Sequence, residues 1–271
     1  MTLDRFDSAS RDGDSSMSIG GLIKVSSERF PTLYVKPAGF VKIPINGRIA
    51  ERLPVSPFEP DALPFGDWLV MLDVMAGDPD LEGVLLEIGQ SPSWGQVWEL
   101  RQALQRVKRS GKTVAARLTW TDMKGMYLAS IADRIYLHPS GGLMLQGLAV
   151  TRTYFAGLME KIGVRAQFVQ LEDYKTAPEP LTRTGPSPES TEQLDDVLKG
   201  IDAEWRRAVA EGRGLTDEAL LDVIASGPLT MESAHALRMV DRVVPDDEVE
   251  QALAEDLKLS LIHISEPTRL C

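Results

Sequence analysis

Short apolar runs alternate with amphipathic segments along most of this chain. Runs rich in apolar and β-branched residues predict strands, and apolar residues that recur every three or four positions predict helices between them. The predicted strands are residues 41–45, 83–88, 113–118, 134–137, 145–151, 164–171 and 241–244. The predicted helices are residues 65–76, 96–109, 124–132, 154–162 and 187–212, two short helices from Thr216 and Met231, and residues 246–258. This alternation predicts right-handed crossovers and a mostly parallel sheet, and therefore an α/β fold.

Length and charge limit the classes of protein to which the chain can belong. Its 271 residues are 43% hydrophobic, which is enough for one large α/β domain or two small ones. The formal net charge is −11 and no run of basic residues occurs, which argues against a general nucleic-acid binder. No apolar run has membrane-spanning length, so the sequence predicts a soluble chain, either cytoplasmic or associated with a membrane.

The two ends differ in composition from the rest of the chain. Residues 1–38 include a polar stretch rich in Gly, Ser and Asp, which predicts a flexible arm. Residues 39–258 carry the periodic pattern and are predicted to form the folded domain. Residues 259–269 read LSLIHISEPTR, which resembles the translated read-through of a sequencing-library adapter, so we exclude residues 259–271 from the fold. We therefore expect the natural chain to continue differently after Lys258.

Motifs for metals and cofactors are missing from the sequence. The single cysteine, Cys271, and the histidines at 138, 235 and 263 show no ligand spacing, so no metal site is predicted. No G-x-G-x-x-G follows the first strand and no GK[ST] loop occurs, so no nucleotide cofactor is predicted. The absence of a G-x-S-x-G elbow also disfavours the α/β-hydrolase fold.

One lysine is notable for its position. Lys175 follows the predicted strand 164–171 and precedes a loop with prolines at positions 178, 180, 186 and 188. A lysine beside an apolar wall can lose its proton and act as a general base, and a Ser–Lys pair is one form of serine hydrolase site. The alternative is a surface salt bridge with Glu172 or Asp173. The residue pattern alone leaves both interpretations open.

Three longer stretches carry a family resemblance. They are MYLASIADRIYLHPSGG at residues 126–142, the whole of residues 153–190, and ESAHALRMVDRVV at residues 232–244. These stretches resemble the signal peptide peptidase A family of Ser/Lys proteases, which have the ClpP/crotonase-type fold. The motif YKTAPEP nearly matches the family's Y-K-S-A-x-E-P, and the lysine that serves there as the general base falls on Lys175. The resemblance covers about residues 41–249 and implies repeated β-β-α units followed by a helical C-terminal part.

The resemblance also indicates which part of such a protease this chain corresponds to. The long form of the family has two tandem copies of the fold, the first with the lysine and the second with the nucleophilic serine, and this chain resembles the first. The serine position of the second copy falls on Lys124. The oxyanion-binding turn of that copy falls on residues 89–95, where Ser93 and Trp94 replace a glycine pair. Ser130, nearly two helical turns after Lys124, is expected to be a packing residue.

The function implied by this resemblance is that of a serine endopeptidase that cleaves signal peptides and similar extended polypeptides without a cofactor. This chain would supply the lysine-bearing half, as a homo-oligomer or paired with a serine-bearing domain, and would be inactive alone. Two alternatives are a pseudo-protease scaffold that pairs with a catalytic subunit and an acyl-CoA enzyme of the crotonase type. Trp94 and Trp98 share one predicted helix face, and either line a peptide groove or pack against the core or another subunit.

Overall fold

The computed structural model describes residues 39–47, 49–52, 63–169 and 172–257. The predicted arm at 1–38 and the predicted tail at 259–271, with Cys271, lie outside the described residues, so both stay predictions. None of the helices in these ranges is long and apolar enough to cross a membrane.

One sheet organises the described part of the chain. Its strands are β1 Gly39–Ile45, β2 Leu81–Ile88, β3 Thr113–Asp122, β4 Arg134–Met144, β5 Leu229–Thr230 and β6 Arg242–Val243. The strand order is β1-β2-β3-β4-β5, and β6 also pairs with β4. The pairing is parallel except between β4 and β5. The predicted mostly parallel sheet is therefore confirmed.

Helices connect the parallel strands and form the C-terminal part. They are α1 Phe65–Gly77, α2 Trp94–Arg109, α3 Met123–Ala129, α4 Ala156–Lys161, α5 Glu179–Thr182, α6 Pro188–Arg213, α7 Asp217–Ala225, α8 Met231–Ala236 and α9 Val249–Leu257. Parallel neighbours need a crossover connection, and α1, α2 and α3 lie in the three crossovers between β1 and β4.

Apolar side chains are buried on both faces of the sheet. On one face, α2 buries its residues at helical spacing, Val97, Leu100, Leu104 and Val107, in the larger core. The other face carries a smaller cluster, in which α9 packs Leu253 and its neighbours against the strands. Helices on both faces of a parallel sheet are typical of α/β domains.

The longest helix, α6, has clear signals at both of its ends. Ser187 is its N-cap and accepts a hydrogen bond from the Ser190 N–H at 3.0 Å. Gly214 ends it in the left-handed conformation, with φ of 62°. Trp205, buried in its middle, donates from its indole nitrogen to the Met123 carbonyl at 2.7 Å. This contact fixes α6 against the start of α3.

Strand β3 shows how the β-β-α units arise. Its register with β4 shifts between Leu118 and Trp120, so that a second short segment, Trp120 to Asp122, pairs with residues 142–144. This second segment runs directly into α3, because Asp122 is both the last strand residue and the N-cap of the helix. The predicted α/β fold of the ClpP/crotonase type, with β-β-α units and a helical C-terminal part, is confirmed.

Two predicted strands are wrong. Residues 145–151 have no regular structure, because β4 already ends at Met144. Residues 164–169 are also irregular and mostly exposed, and the side chain of Val169 is 94% exposed. An apolar run predicts burial, but it does not say whether the covering surface belongs to the same chain. In the described residues nothing covers this run.

Candidate functional site

Lys175 lies in a turn whose backbone is fixed by the start of α6. The hydroxyl of Tyr174 donates to the Glu192 carboxylate at 2.8 Å, and the side-chain amide of Gln193 donates to the Tyr174 carbonyl at 3.0 Å. The hydroxyl of Thr176 donates to the Gln193 side-chain oxygen at 3.0 Å. The residues on either side of Lys175 are therefore anchored, which restricts where its amine can be placed.

The acidic end of the same motif is structural. Glu179 is buried and its carboxylate accepts a hydrogen bond from the Ser187 N–H at 3.2 Å. Burial opposes ionisation of Glu179, but hydrogen bonds from Ser187 and Ser190, together with the charge of Arg183, outweigh it and lower its pKa. Glu179 thus ties the loop to the cap of α6 as an ionised acceptor.

The side chain of Lys175 is exposed in this chain, in contrast to its anchored backbone. Glu172 and Asp173 beside it are exposed as well. The geometry therefore offers an anchored turn that carries an exposed lysine.

A second cluster lies where β3 passes into α3. The Asp122 carboxylate accepts a hydrogen bond from the Gly125 N–H at 3.0 Å and from the Ser91 hydroxyl at 2.7 Å. The Lys124 amine lies 3.5 Å from the other oxygen of the same carboxylate. Lys124, at the position predicted to correspond to the nucleophile, is therefore paired with Asp122.

The turn at residues 89–95 is used for capping and packing. Ser93 is the N-cap of α2 and accepts a hydrogen bond from the Gln96 N–H at 3.3 Å. Trp94, the first residue of α2, meets Tyr127 edge-on with ring centroids 6.2 Å apart. Of the two alternatives for the tryptophans, packing holds for Trp94, whereas Trp98 is 49% exposed and its role stays a prediction.

Ser130 is a packing residue, as predicted. It is fully buried, its hydroxyl donates to the Tyr127 carbonyl at 2.9 Å, and it accepts from the Arg101 guanidinium at 2.8 Å. A hydroxyl that is enclosed and engaged in this way cannot reach a substrate, so Ser130 is not a nucleophile.

The two clusters contact α6 at well separated places. The Lys175 turn is held by Gln193, whereas the start of α3 is held by Trp205, twelve residues further along the same helix. At a rise of 1.5 Å per residue this is about 18 Å along the helix axis. The Lys175 turn and the start of α3 are therefore anchored at different places on α6.

Sequence reasoning missed the role of Asp122. The residue has a recognisable local signal, because an aspartate directly before a helix is a preferred N-cap. Its bond to Ser91 joins positions 31 residues apart, and no local pattern indicates such a contact.

Comparison with known proteins gives a family match over more than half of the chain. Residues 106–260 match the family described as Peptidase family S49. Serine protease SPPA, chloroplastic, from Arabidopsis thaliana is 31% identical over 183 residues, which cover 67% of this chain and 27% of that protein. Protease 4 from Salmonella typhi is 27% identical over 66% of this chain and 30% of its own length. The chain thus spans less than a third of these two relatives.

One further relative matches more of its own length, and solved structures are more distant. The putative signal peptide peptidase SppA from Enterococcus faecium is 22% identical over 81% of this chain and 64% of its own length. The structure of the 1510-N membrane-bound stomatin-specific protease is 13% identical, with a TM-score of 0.46 over 80% of this chain and 84% of that one. An enoyl-CoA hydratase from Shewanella pealeana is 10% identical, with a TM-score of 0.49 over 87% and 77%. At these TM-scores neither structure supports an argument about function.

Proposed function

This chain belongs to peptidase family S49, and on that premise we propose that it is the lysine-bearing half of a Ser/Lys endopeptidase. Lys175 is the general base, and a serine-bearing domain outside this chain supplies the nucleophile. The observation that carries the proposal is the anchored Lys175 turn in a copy whose position 124, where a serine would be needed, is a lysine paired with Asp122. A base in a copy without its own nucleophile serves a serine that comes from elsewhere.

The chemistry assigned to Lys175 is proton transfer. Its neutral amine takes the proton of the serine hydroxyl while the serine oxygen attacks the scissile carbonyl, and the resulting ammonium gives the proton to the leaving amine. Water then hydrolyses the acyl-enzyme, with the same amine as base. A free lysine has a pKa of about 10.4, and a base near neutral pH needs about 7–8, which requires about 3.5–5 kcal/mol of differential desolvation.

An exposed apolar face supports a partner surface next to Lys175. Phe155, Leu158 and Ile162 are spaced as one helix face and are 43%, 58% and 65% exposed. The Phe155 N–H donates to the Pro180 carbonyl at 2.6 Å, so this face is tied to the loop that carries the lysine. A serine-bearing domain that covers the face would also exclude water from Lys175. The substrates that we propose are signal peptides and similar extended polypeptides.

The second candidate is a scaffold without a catalytic role. It is favoured by the state of position 124, where a lysine paired with Asp122 stands in place of a nucleophile. The two candidates differ in one respect. In the scaffold Lys175 has no role in catalysis, whereas in the proposed half-enzyme hydrolysis by the assembled protein depends on it.

The chain by itself is expected not to hydrolyse peptides. A base without a nucleophile loses most of the rate, because the members of such a site act as a unit. The measurement is labelling with a fluorophosphonate probe together with hydrolysis of an unfolded reporter peptide. We expect neither to exceed the level of heat-denatured chain. Labelling of any serine, or turnover that disappears in Lys175→Ala, would show that one copy of the fold is a complete enzyme.

A further inference from the structure

The Asp122 carboxylate connects more groups than capping a helix requires. An N-cap satisfies one or two backbone donors of its own helix, here the Gly125 N–H at 3.0 Å. Asp122 also accepts from the Ser91 hydroxyl at 2.7 Å, which belongs to the turn at residues 89–95. Its second oxygen lies 3.5 Å from the Lys124 amine. One carboxylate therefore receives three donors from two separate segments.

A further polar group lies beside the same point. Thr121 is only 4% exposed, and its hydroxyl has no hydrogen-bond partner among the described residues. A methyl group on Gly125 would overlap this hydroxyl and would lie 2.8 Å from the Ser91 hydroxyl oxygen. The Thr121 hydroxyl, the Ser91 hydroxyl and the Gly125 backbone are thus close neighbours. Donors outnumber acceptors at this point, and the only carboxylate among these groups is that of Asp122.

We infer that Asp122 holds this copy's own site closed, by placing an internal carboxylate where an acyl-transfer site would receive an anion. A tetrahedral oxyanion or a product carboxylate needs free N–H and O–H donors. Here the Gly125 N–H and the Ser91 hydroxyl are both directed at Asp122, and its negative charge repels a second anion. Lys124 balances that charge. The placement of the site rests on the proposed function, whereas the contacts of Asp122 do not.

The chemical consequence is that the site contains an internal competitor for anions. The Asp122 side chain is 45% exposed, so a small anion can reach its position once the carboxylate is removed. The ligand class for the opened site is a carboxylate, because the remaining groups are one ammonium and two or three neutral donors. Replacement of Lys124 with serine would therefore not open the site by itself, because the Asp122 carboxylate would still occupy it.

Formate is a probe of the size of the missing carboxylate. The experiment follows the Gly125 amide resonance of the ¹⁵N-labelled chain during a titration with sodium formate, with sodium chloride at matched ionic strength as control. In the wild-type chain we expect no saturable shift. In Asp122→Ala we expect a saturable shift at millimolar formate, because the Gly125 N–H and the Ser91 hydroxyl then lose their acceptor. In Asp122→Ser, whose hydroxyl can still cap the Gly125 N–H, we expect a weaker saturable shift.

Lys124 supplies the matched control for this experiment. In the double variant Asp122→Ala with Lys124→Met, the formate response should weaken at least tenfold relative to Asp122→Ala, because the balancing ammonium is gone. Equal responses in the wild type and in Asp122→Ala would overturn the inference, and so would a folded Asp122→Ala chain without any response. The titration requires no peptidase activity and no partner domain. Its failure is therefore distinguishable from failure of the proposed function, which is measured as hydrolysis.

Discussion

Replacement of Lys175 with alanine, in the assembly of this chain with the serine-bearing domain that we propose as its partner, should lower kcat/KM for peptide hydrolysis by about 10³-fold or more. The serine hydroxyl then has no base to take its proton, and the leaving amine has no acid to protonate it. The free energy of unfolding should change by less than about 0.5 kcal/mol, because the Lys175 side chain is exposed. The measurement is hydrolysis of an unfolded reporter peptide, with urea denaturation of the same samples.

Two further variants separate the role of base from the role of charge. Lys175→Arg keeps a cation that does not give up its proton, so it should be as inactive as Lys175→Ala. Lys199→Ala removes an exposed lysine from α6, 75% exposed, and should keep full activity. Activity of more than a few per cent in Lys175→Ala would contradict the assignment. A loss of several kcal/mol of stability in that variant would indicate a structural ion pair instead.

The second large effect is expected at Arg101, in the core between α2, α3 and α6. Arg101 is 4% exposed, and its guanidinium donates to the Tyr127 carbonyl at 2.6 Å, to the Ser130 hydroxyl at 2.8 Å and to the Ala208 carbonyl at 3.2 Å. The guanidinium carbon also lies 4.9 Å from the centre of the Tyr127 ring. Burial lowers the pKa of Arg101. The group is nevertheless well satisfied, because α3, Ser130 at its end and α6 direct three acceptors at it.

Arg101→Met should therefore lower the free energy of unfolding by about 3–5 kcal/mol. The substitution fills similar space but removes three buried hydrogen bonds from the guanidinium, to Tyr127, Ser130 and Ala208. The measurement is urea denaturation followed by circular dichroism. Arg109→Met, at the exposed end of the same helix, is the control and should cost less than about 0.5 kcal/mol. A loss below about 1 kcal/mol in Arg101→Met would mean that water replaces the guanidinium in the core.

The elements with strong local signals could be predicted from the sequence. Helices α2 and α6 have apolar residues at helical spacing and serine caps, Ser93 and Ser187, and the structure places them within a few residues of the prediction. The two wrong strands failed for different reasons. In residues 145–151, Leu145 is buried in the core as its apolar character predicts, but burial does not determine backbone conformation, and this segment is irregular. Residues 164–169 are mostly exposed, and no surface among the described residues covers them.

The site could be predicted only as far as a contiguous motif reached. Lys175 stands in such a motif, so the sequence pointed to it, whereas the anchoring of its turn on α6 by Gln193 could not be predicted. The bond between Ser91 and Asp122 closes only after β2 and β3 pair. The role of Arg101 could not be predicted either. A charged residue on a helix predicts exposure, and Arg101 becomes a buried donor only because α3 and α6 pack around it.

The most direct test of the half-enzyme is the initial rate of reporter hydrolysis as this chain is added to the serine-bearing domain that we propose as its partner. We expect no turnover by either part alone and a rate that rises with added chain to saturation, with no rise for the Lys175→Ala chain. Turnover by the chain alone, or an equal rise with Lys175→Ala, would contradict this proposal.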